Sequence, residues 1–235
     1  MKLNEKYVMA AILAVGMYAM GDAVSDGIVR FKKMDRCVTV KGLSEREIMA
    51  NKVTWSLMYK ELGNDPSQMY DLIEQKNGKV LTFLKSSGIK DEDISVNPPV
   101  VTDRQADNYG NEIMTYRYKA TSVITVTSNE VAKVRELLNK QPELMKQGIA
   151  LVSNEYDNKN VVYEFTELNK VKPEMVEEAT KNARATAQKF ADDSDCDLGE
   201  IRSAQQGQFT IDDRDANTPY VKKLRVVTTI EYSLK

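Results

Sequence analysis

Carboxylate side chains cluster in two short segments of the sequence. In the first, residues 192–197, aspartates occupy positions 1, 3 and 5 of a possible calcium loop that begins at Asp193. The pattern then fails, because Leu198 stands where the loop needs glycine and Ala204 stands where it needs a bidentate glutamate. The sequence therefore favours a solvated helix end that leads into a strand, and cation binding is the alternative.

The second acidic segment contains Asp212, Asp213 and Asp215, and it falls in the predicted connection between the last two strands. Aspartate is common in turns because its side chain can accept hydrogen bonds from nearby backbone N–H groups. We favour a turn here, and the alternative is a small-ligand or metal site near Asp195 and Asp213. We assign no catalytic, cofactor-binding or metal-ligating residue.

Histidine is absent from all 235 residues, which limits the available chemistry. Its absence removes Ser-His-Asp and Cys-His mechanisms and every metal site that contains histidine. The two cysteines, Cys37 and Cys196, form no CxxC pair, so we favour two separate thiols over a disulfide. No nucleotide-binding or hydrolase motif occurs, and we predict that the chain is not an enzyme and uses no cofactor.

The charge balance argues against a nucleic-acid partner. The chain has 33 Lys and Arg against 35 Asp and Glu, a net charge of −2, and no basic block. Proteins that bind nucleic acid usually present a basic face. Hydrophobic residues make up 42%, an ordinary globular fraction, so the chain can build one sizeable domain or two small ones.

An apolar run from Tyr7 to Met20 follows Lys2 and Lys6. Basic residues, an apolar stretch and then small residues occur in this order in secretory signal peptides, and a cut would fall ahead of Asp22. The same segment approaches the length that a membrane-spanning helix needs, so a retained anchor is an equal alternative. A helix buried in the core of the protein is the third interpretation.

The sequence thus predicts a signal peptide or membrane anchor over residues 1–24, a polar tether over 25–36 and a folded domain over 37–235. The flanking charges do not fix an orientation in the membrane. Two lysines precede the apolar run, whereas four basic residues lie within the tether.

Strand and helix patterns alternate along the folded part. Residues 52–62 alternate apolar and polar side chains and predict a strand. Asp65 and Pro66 are typical of a helix start, and Gly88 of a helix end. The other predicted elements are a strand over Val38–Val40, strands over 93–102 and 113–127 around a connection at 109–111, a helix from Ser128 or Asn129 to Lys140, strands over 149–156 and 161–165 around a turn at 157–160, a helix from Pro173 to Asp192, and strands over 201–211 and 224–234.

This order, ββα three times and then ββ, predicts an α+β fold with antiparallel sheets and helices packed on one face. On the last predicted helix, Ala179, Ala183, Ala187 and Ala191 recur every four residues. A row of small side chains lets another backbone approach closely. Packing on the protein's own sheet is the favoured explanation, and a subunit contact is the alternative.

Several short motifs occur together along the folded part. They are Val38-Thr39-Val40-Lys41-Gly42, then Tyr116 to Ala120 before a strand, then Ala183 to Ala187 on a helix followed by Leu198-Gly199, and finally the strand Val226 to Leu234. In these motifs and their order the chain resembles the SIMPL domain family over residues 37–235. It departs from the family at 192–197, where the family often has a glycine-containing turn.

The resemblance implies a periplasmic protein that assembles into a ring or cage-like homo-oligomer and is linked to envelope or oxidative-stress tolerance. It implies no catalytic residues, and none are transferred. We therefore expect a non-enzymatic structural or interaction protein in the bacterial periplasm, attached to the inner membrane if the N-terminal segment is retained. A periplasmic module that binds a small ligand or a metal is the alternative.

Overall fold

The computed structural model describes residues 2–34, 36–106, 115–153 and 160–235. Within these ranges the fold is α+β with antiparallel strand pairing, as predicted. A short 3-10 turn lies at Asp91–Asp93. In chain order the helices and strands are α1 (Lys2–Met34), β1 (Cys37–Met49), β2 (Lys52–Gly63), α2 (Pro66–Ser86), β3 (Ile94–Val96), β4 (Val100–Asp103), β5 (Tyr118–Ser128), α3 (Val131–Lys140), α4 (Pro142–Lys146), β6 (Leu151–Val152), β7 (Val161–Glu164), α5 (Leu168–Asp193), β8 (Leu198–Gln206), β9 (Thr210–Asp213) and β10 (Val221–Leu234).

The N-terminal helix α1 is longer than the sequence predicted. It continues to Met34, so most of the segment 25–36 that was predicted as a polar tether is helical. Residues 7–28 form one continuous segment that is long and apolar enough to cross a membrane, and none of it is buried. The structure therefore excludes the interpretation of this segment as a buried core helix.

The chain divides into two compact units. Unit 1 comprises residues 1–46, 169–210 and 224–235, and unit 2 comprises residues 47–168 and 211–223. Unit 2 lies entirely within the segment 37–235 that was predicted as one folded domain, and unit 1 lies partly within it. Unit 1 holds α1, most of α5 and the strand β8, and unit 2 holds the central strands β2 and β5.

The core of unit 2 is built on β2. This strand pairs with β5 from Val53 to Gly63 and with β6 and β7 on its other side, while β3 and β4 pair with β5. Its inward side chains, Val53, Trp55, Leu57 and Tyr59, are almost completely buried, which confirms the predicted alternation. The predicted strand over 93–102 is divided into β3 and β4, because the consecutive prolines at 98 and 99 cannot donate to a ladder.

Helix α2 has the ends that its sequence predicted. The Asp65 side chain accepts hydrogen bonds from the backbone N–H groups of Ser67 and Gln68 at 2.8 and 3.4 Å, and Pro66 is the first helical residue. Gly88 follows the helix with φ of +82°, a conformation in which glycine has no steric penalty. Asp65 is therefore confirmed as the N-cap and Gly88 as the terminating glycine.

Several predicted boundaries differ from the structure. Helix α5 begins at Leu168, so Pro173 lies in its second turn rather than at its start. The short helix α4 was not predicted, and the strand predicted from residue 113 begins at Tyr118. Of the strand predicted over 149–156, the structure describes only β6 at Leu151–Val152. The predicted connection at 109–111 and residues 154–159 lie outside the described residues.

In unit 1, helix α5 packs on one face of a sheet with the strand order β1-β10-β8. The core cluster contains Val40 from β1, Ala183 and Ala187 from α5, and Ile230 and Tyr232 from β10. Alternate side chains of β10 from Leu224 to Tyr232 are buried, which confirms the predicted inward face of the last strand.

Helix α5 approaches β1 so closely that only glycine fits at position 42. A Cβ atom added to Gly42 would lie 1.8 Å from the carbonyl oxygen of Ala179 and 2.5 Å from the backbone nitrogen of Ala183. The four alanines of the helix stripe are fully buried. Their small side chains pack on the protein's own sheet, which confirms the favoured explanation of the stripe. The glycine of the Val38–Gly42 motif thus has a structural role.

Candidate functional site

The acidic segment 192–197 is the end of a helix. Helix α5 ends at Asp193, whose carboxylate lies 3.1 Å from the ammonium of Lys189. The carboxylate of Asp192 accepts a hydrogen bond from Gln188 at 2.8 Å. Asp195 has a φ of +50°, a left-handed conformation that aspartate tolerates better than most residues. The structure thus confirms the predicted helix end at residues 192–197.

The second acidic segment forms a turn. The carboxylate of Asp215 accepts hydrogen bonds from the backbone N–H groups of Asn217 and Thr218, both at 2.8 Å, and lies 3.1 Å from the Arg214 guanidinium. A hydrogen bond from the Thr218 hydroxyl, then the Arg214 guanidinium and the two backbone donors, lower the pKa of Asp215 to about 2. Asp213 pairs with Lys222. Both carboxylates therefore have partners within the turn or beside it.

Neither acidic segment forms a metal site in the part of the chain that the structure describes. Within the described ranges, no group of three or more Asp, Glu, Cys or His side chains is placed to hold a metal ion. Asp195 belongs to unit 1 and Asp213 to unit 2, and each segment is accounted for by its own local bonds.

Both cysteines are free thiols. Cys37 is exposed on β1, and a hydrogen bond to the Glu231 carboxylate, with a smaller effect of burial, raises the pKa of its thiol. Cys196 is half-buried, with its Sγ 3.3 Å from the carbonyl oxygen of Ser194. A raised pKa disfavours the thiolate, which is the reactive form, so Cys37 lacks the electrostatic environment of a nucleophilic cysteine.

Strand β8 is an open edge of the sheet of unit 1. It pairs with β10 on one side, and no other strand in the described part of the chain pairs with it. All its side chains from Glu200 to Gln206 are exposed, and Ile201 is 53% exposed. An uncovered edge strand presents backbone N–H and C=O groups that another strand can bind.

Two cavities in unit 2 share Tyr163 and Pro219. The first has a volume of about 420 Å³ and is lined in part by Arg135, whose guanidinium is stacked on the ring of Tyr220. The second has a volume of about 460 Å³ and lies beside β7 and the Asp213–Lys222 pair. No sequence pattern pointed to these cavities, because their residues come from separate elements.

Comparison with known proteins gives a family and no curated relative. The sequence profile of SIMPL, a protein family of unknown function (DUF541), matches residues 38–230. No curated protein matches the chain. The match covers most of the chain and contains the Val38–Gly42 motif, the alanine stripe of α5 and most of β10. The chain therefore belongs to the SIMPL family.

Proposed function

We propose that this protein is a non-enzymatic envelope protein that is exported across the bacterial inner membrane and assembles with copies of itself in the periplasm. In this proposal α1 is either a membrane anchor or a signal that is cut off, and nucleic acid is not a partner. The observation that carries the proposal is the exposed apolar segment 7–28 of α1. The family resemblance supports a contribution to envelope or oxidative-stress tolerance.

The apolar segment needs lipid around it or removal from the mature protein. It has 22 residues, close to the number that crosses the hydrocarbon core of a bilayer, and none of it is buried against the protein. A helix satisfies its own backbone hydrogen bonds, so lipid can surround it without leaving polar groups unpaired. In water the same surface would expose a continuous apolar patch, which soluble proteins rarely carry.

Export predicts that Cys37 can be labelled from outside the inner membrane. In the full-length Cys196→Ser variant, Cys37 is the one remaining thiol, and it is exposed just beyond α1. We expect a membrane-impermeant maleimide to label it in spheroplasts without lysis. The reaction is best run at a pH of about 8, because the raised pKa of this thiol reduces its reactive fraction.

The Cys37→Ser variant, which keeps only the half-buried Cys196, is the matched control for thiol accessibility. The intact mass of the labelled protein separates a retained anchor from a cut ahead of Asp22. Labelling of Cys37 that requires lysis of the spheroplasts would show that the folded part stays in the cytoplasm, and export would then be refuted.

The open edge of β8 supports self-assembly. Gly207 donates its N–H to the carbonyl oxygen of Val227 at 2.8 Å, and in an antiparallel ladder every second residue faces the partner strand. Ser203 and Gln205 therefore direct their backbone groups toward β10, whereas Ala204 directs its N–H outward. A strand from a second copy can accept hydrogen bonds from this free edge.

We expect the Ala204→Pro variant to lose the assembled form and to keep its fold. Proline removes the outward N–H of residue 204 without removing a bond to β10. The Ala204→Thr variant keeps the N–H and is the matched control. The measurement is the molar mass of the full chain in detergent, by light scattering behind a sizing column. A wild-type chain that is monomeric at every concentration, or equal masses for both variants, would argue against assembly through β8.

A further inference from the structure

A half-buried arginine of unit 2 is stacked on an aromatic ring. Arg135 extends from α3, and the central carbon of its guanidinium lies 3.4 Å from the centroid of the Tyr220 ring. Guanidinium groups stack on aromatic faces through cation–π and dispersion attraction. Stacking restricts the long side chain to one orientation, so little further entropy would be lost when its N–H groups bind a ligand.

The ring below the guanidinium is itself held in place. The backbone carbonyl of Tyr220 accepts a hydrogen bond from the Ala50 N–H at 2.8 Å. The ring of Tyr163 meets that of Tyr220 edge-on, with 6.1 Å between centroids and an interplanar angle of 72°. Tyr163 lies on β7, in the sheet of unit 2. Arg135 is thus supported by two aromatic side chains with fixed positions.

The N–H groups of Arg135 have no acceptor in the described part of the chain. The other arginines that are half-buried among the described residues, Arg46 and Arg104, each have an acceptor. Arg46 pairs with Glu174 and Glu178 at 2.7 and 3.3 Å, and Arg104 donates to the carbonyl oxygen of Tyr116 at 3.2 Å. A guanidinium carries five N–H donors in a planar fork. The stacked side chain of Arg135 can therefore donate in its plane to a group in the cavity.

The cavity beside Arg135 has a mixed lining. Its volume is about 420 Å³, and Leu138, Pro219 and the two tyrosine rings provide apolar surface. Asn139 and Asn217 add side-chain amides, which can donate hydrogen bonds. The charged residues of the lining are Arg135, which is half-buried, and Glu136, which is exposed to solvent. A ligand with one negative charge suits a single arginine, whereas a phosphate with two charges would find no second cation in this lining.

We propose that this cavity binds a monocarboxylate, with Arg135 donating two parallel N–H bonds to the carboxylate and the apolar wall contacting the organic body. Bidentate pairing of a guanidinium with a carboxylate is strong and directional. The carboxylate belongs either to a small organic acid or to the C-terminus of a peptide. The site lies in unit 2, and it does not depend on the proposed self-assembly.

The test is a titration of the full-length protein in detergent with phenylacetate, followed by NMR of the arginine Nε–Hε resonances. We expect phenylacetate to shift the Arg135 resonance in a saturable way. Phenylacetamide, which has the same ring and no charge, should bind at least about tenfold more weakly, because bonds to an ionised acceptor are about twice as strong as neutral ones. Arg135→Met should weaken phenylacetate binding at least about tenfold, a loss near 1.4 kcal/mol.

Arg184→Met is the matched control, because this arginine is exposed on α5 in unit 1 and its replacement changes the net charge equally. It should leave the affinity unchanged. Arg135→Lys keeps the charge but not the planar fork, and we expect intermediate binding from it. Equal affinity of Arg135→Met and Arg184→Met, equal binding of the acid and the amide, or no shift at about 50 mM phenylacetate would each overturn the proposal.

A second titration identifies the source of the carboxylate. N-acetyl-Ala-Ala-Phe with a free C-terminus is compared with its C-terminal amide and with phenylacetate. Tighter binding of the peptide acid than of phenylacetate assigns the site to peptide C-termini, and weaker binding assigns it to small acids. Both orders support the carboxylate site, whereas equal binding of the peptide acid and the peptide amide contradicts it.

Discussion

The Gly42→Val variant is expected to lose the folded structure of unit 1. Valine favours strands, so the change carries no local penalty on β1. Its Cβ atom, however, would lie 1.8 Å from the Ala179 carbonyl oxygen and 2.8 Å from the Ala183 Cβ atom. These atoms belong to α5, whose alanine stripe is fully buried. The steric clash can therefore be relieved only if α5 moves away from β1. Forced overpacking of this kind costs about 3 kcal/mol or more.

The measurement is urea unfolding of the full chain in detergent, followed by far-UV circular dichroism. Gly78→Ala is the matched glycine control, because Gly78 lies inside α2 and an added Cβ there meets no atom within 4 Å. Alanine favours a helix over glycine by about 1 kcal/mol, so this control should raise stability slightly. An unfolding midpoint for Gly42→Val equal to that of the wild-type chain would show that α5 does not rest on β1 as the structure has it.

The second large effect is expected from Leu57→Ala in the core of unit 2. Leu57 lies on β2 and is 1% exposed. Its truncation removes apolar burial and leaves a cavity, because the neighbouring core side chains on β2, Trp55 and Tyr59, are held by the pairing of that strand with β5. Leucine-to-alanine changes in such cores reduce the free energy of unfolding by about 2–5 kcal/mol.

The single tryptophan of the chain reports this change directly. Trp55 is buried on the same strand as Leu57, so its fluorescence follows the unfolding of unit 2 in urea. Leu62→Ala is the matched control on β2, since Leu62 is 48% exposed and its truncation should change stability by no more than about 0.5 kcal/mol. If both variants unfold at the same urea concentration, Leu57 does not contribute to the core of unit 2 as its burial implies.

Sequence patterns predicted the elements whose burial follows one physical rule. Strands β2 and β10 alternate apolar and polar residues because one face of each is buried, and α2 has both a capping aspartate and a terminating glycine. Strand β1 was predicted only as Val38–Val40, yet it continues to Met49. Its further inward positions include Gly42 and Ser44, which are small because α5 lies against them, so the apolar alternation does not show in the sequence.

The cavity that we propose as a carboxylate site could not be predicted, for a different reason. Arg135 lies on α3, Tyr163 on β7 and Tyr220 just before β10, so no spacing in the sequence links them. Their proximity follows from the tertiary fold of unit 2. The start of α5 was missed because proline is most common in the first helical turn, whereas here Pro173 lies one turn further in.

The continuous helix from Lys2 to Met34 changes what membrane attachment would mean for this protein. Its 33 residues span about 50 Å, whereas the hydrocarbon core of a bilayer is about 30 Å thick. Because this helix ends only three residues before Cys37, a retained anchor would hold the first strand within a short distance of the lipid headgroups. Copies anchored in this way diffuse in a plane with a shared orientation, which raises their effective concentration. Attachment to the membrane would therefore increase the fraction of assembled copies above that in detergent at the same protein concentration.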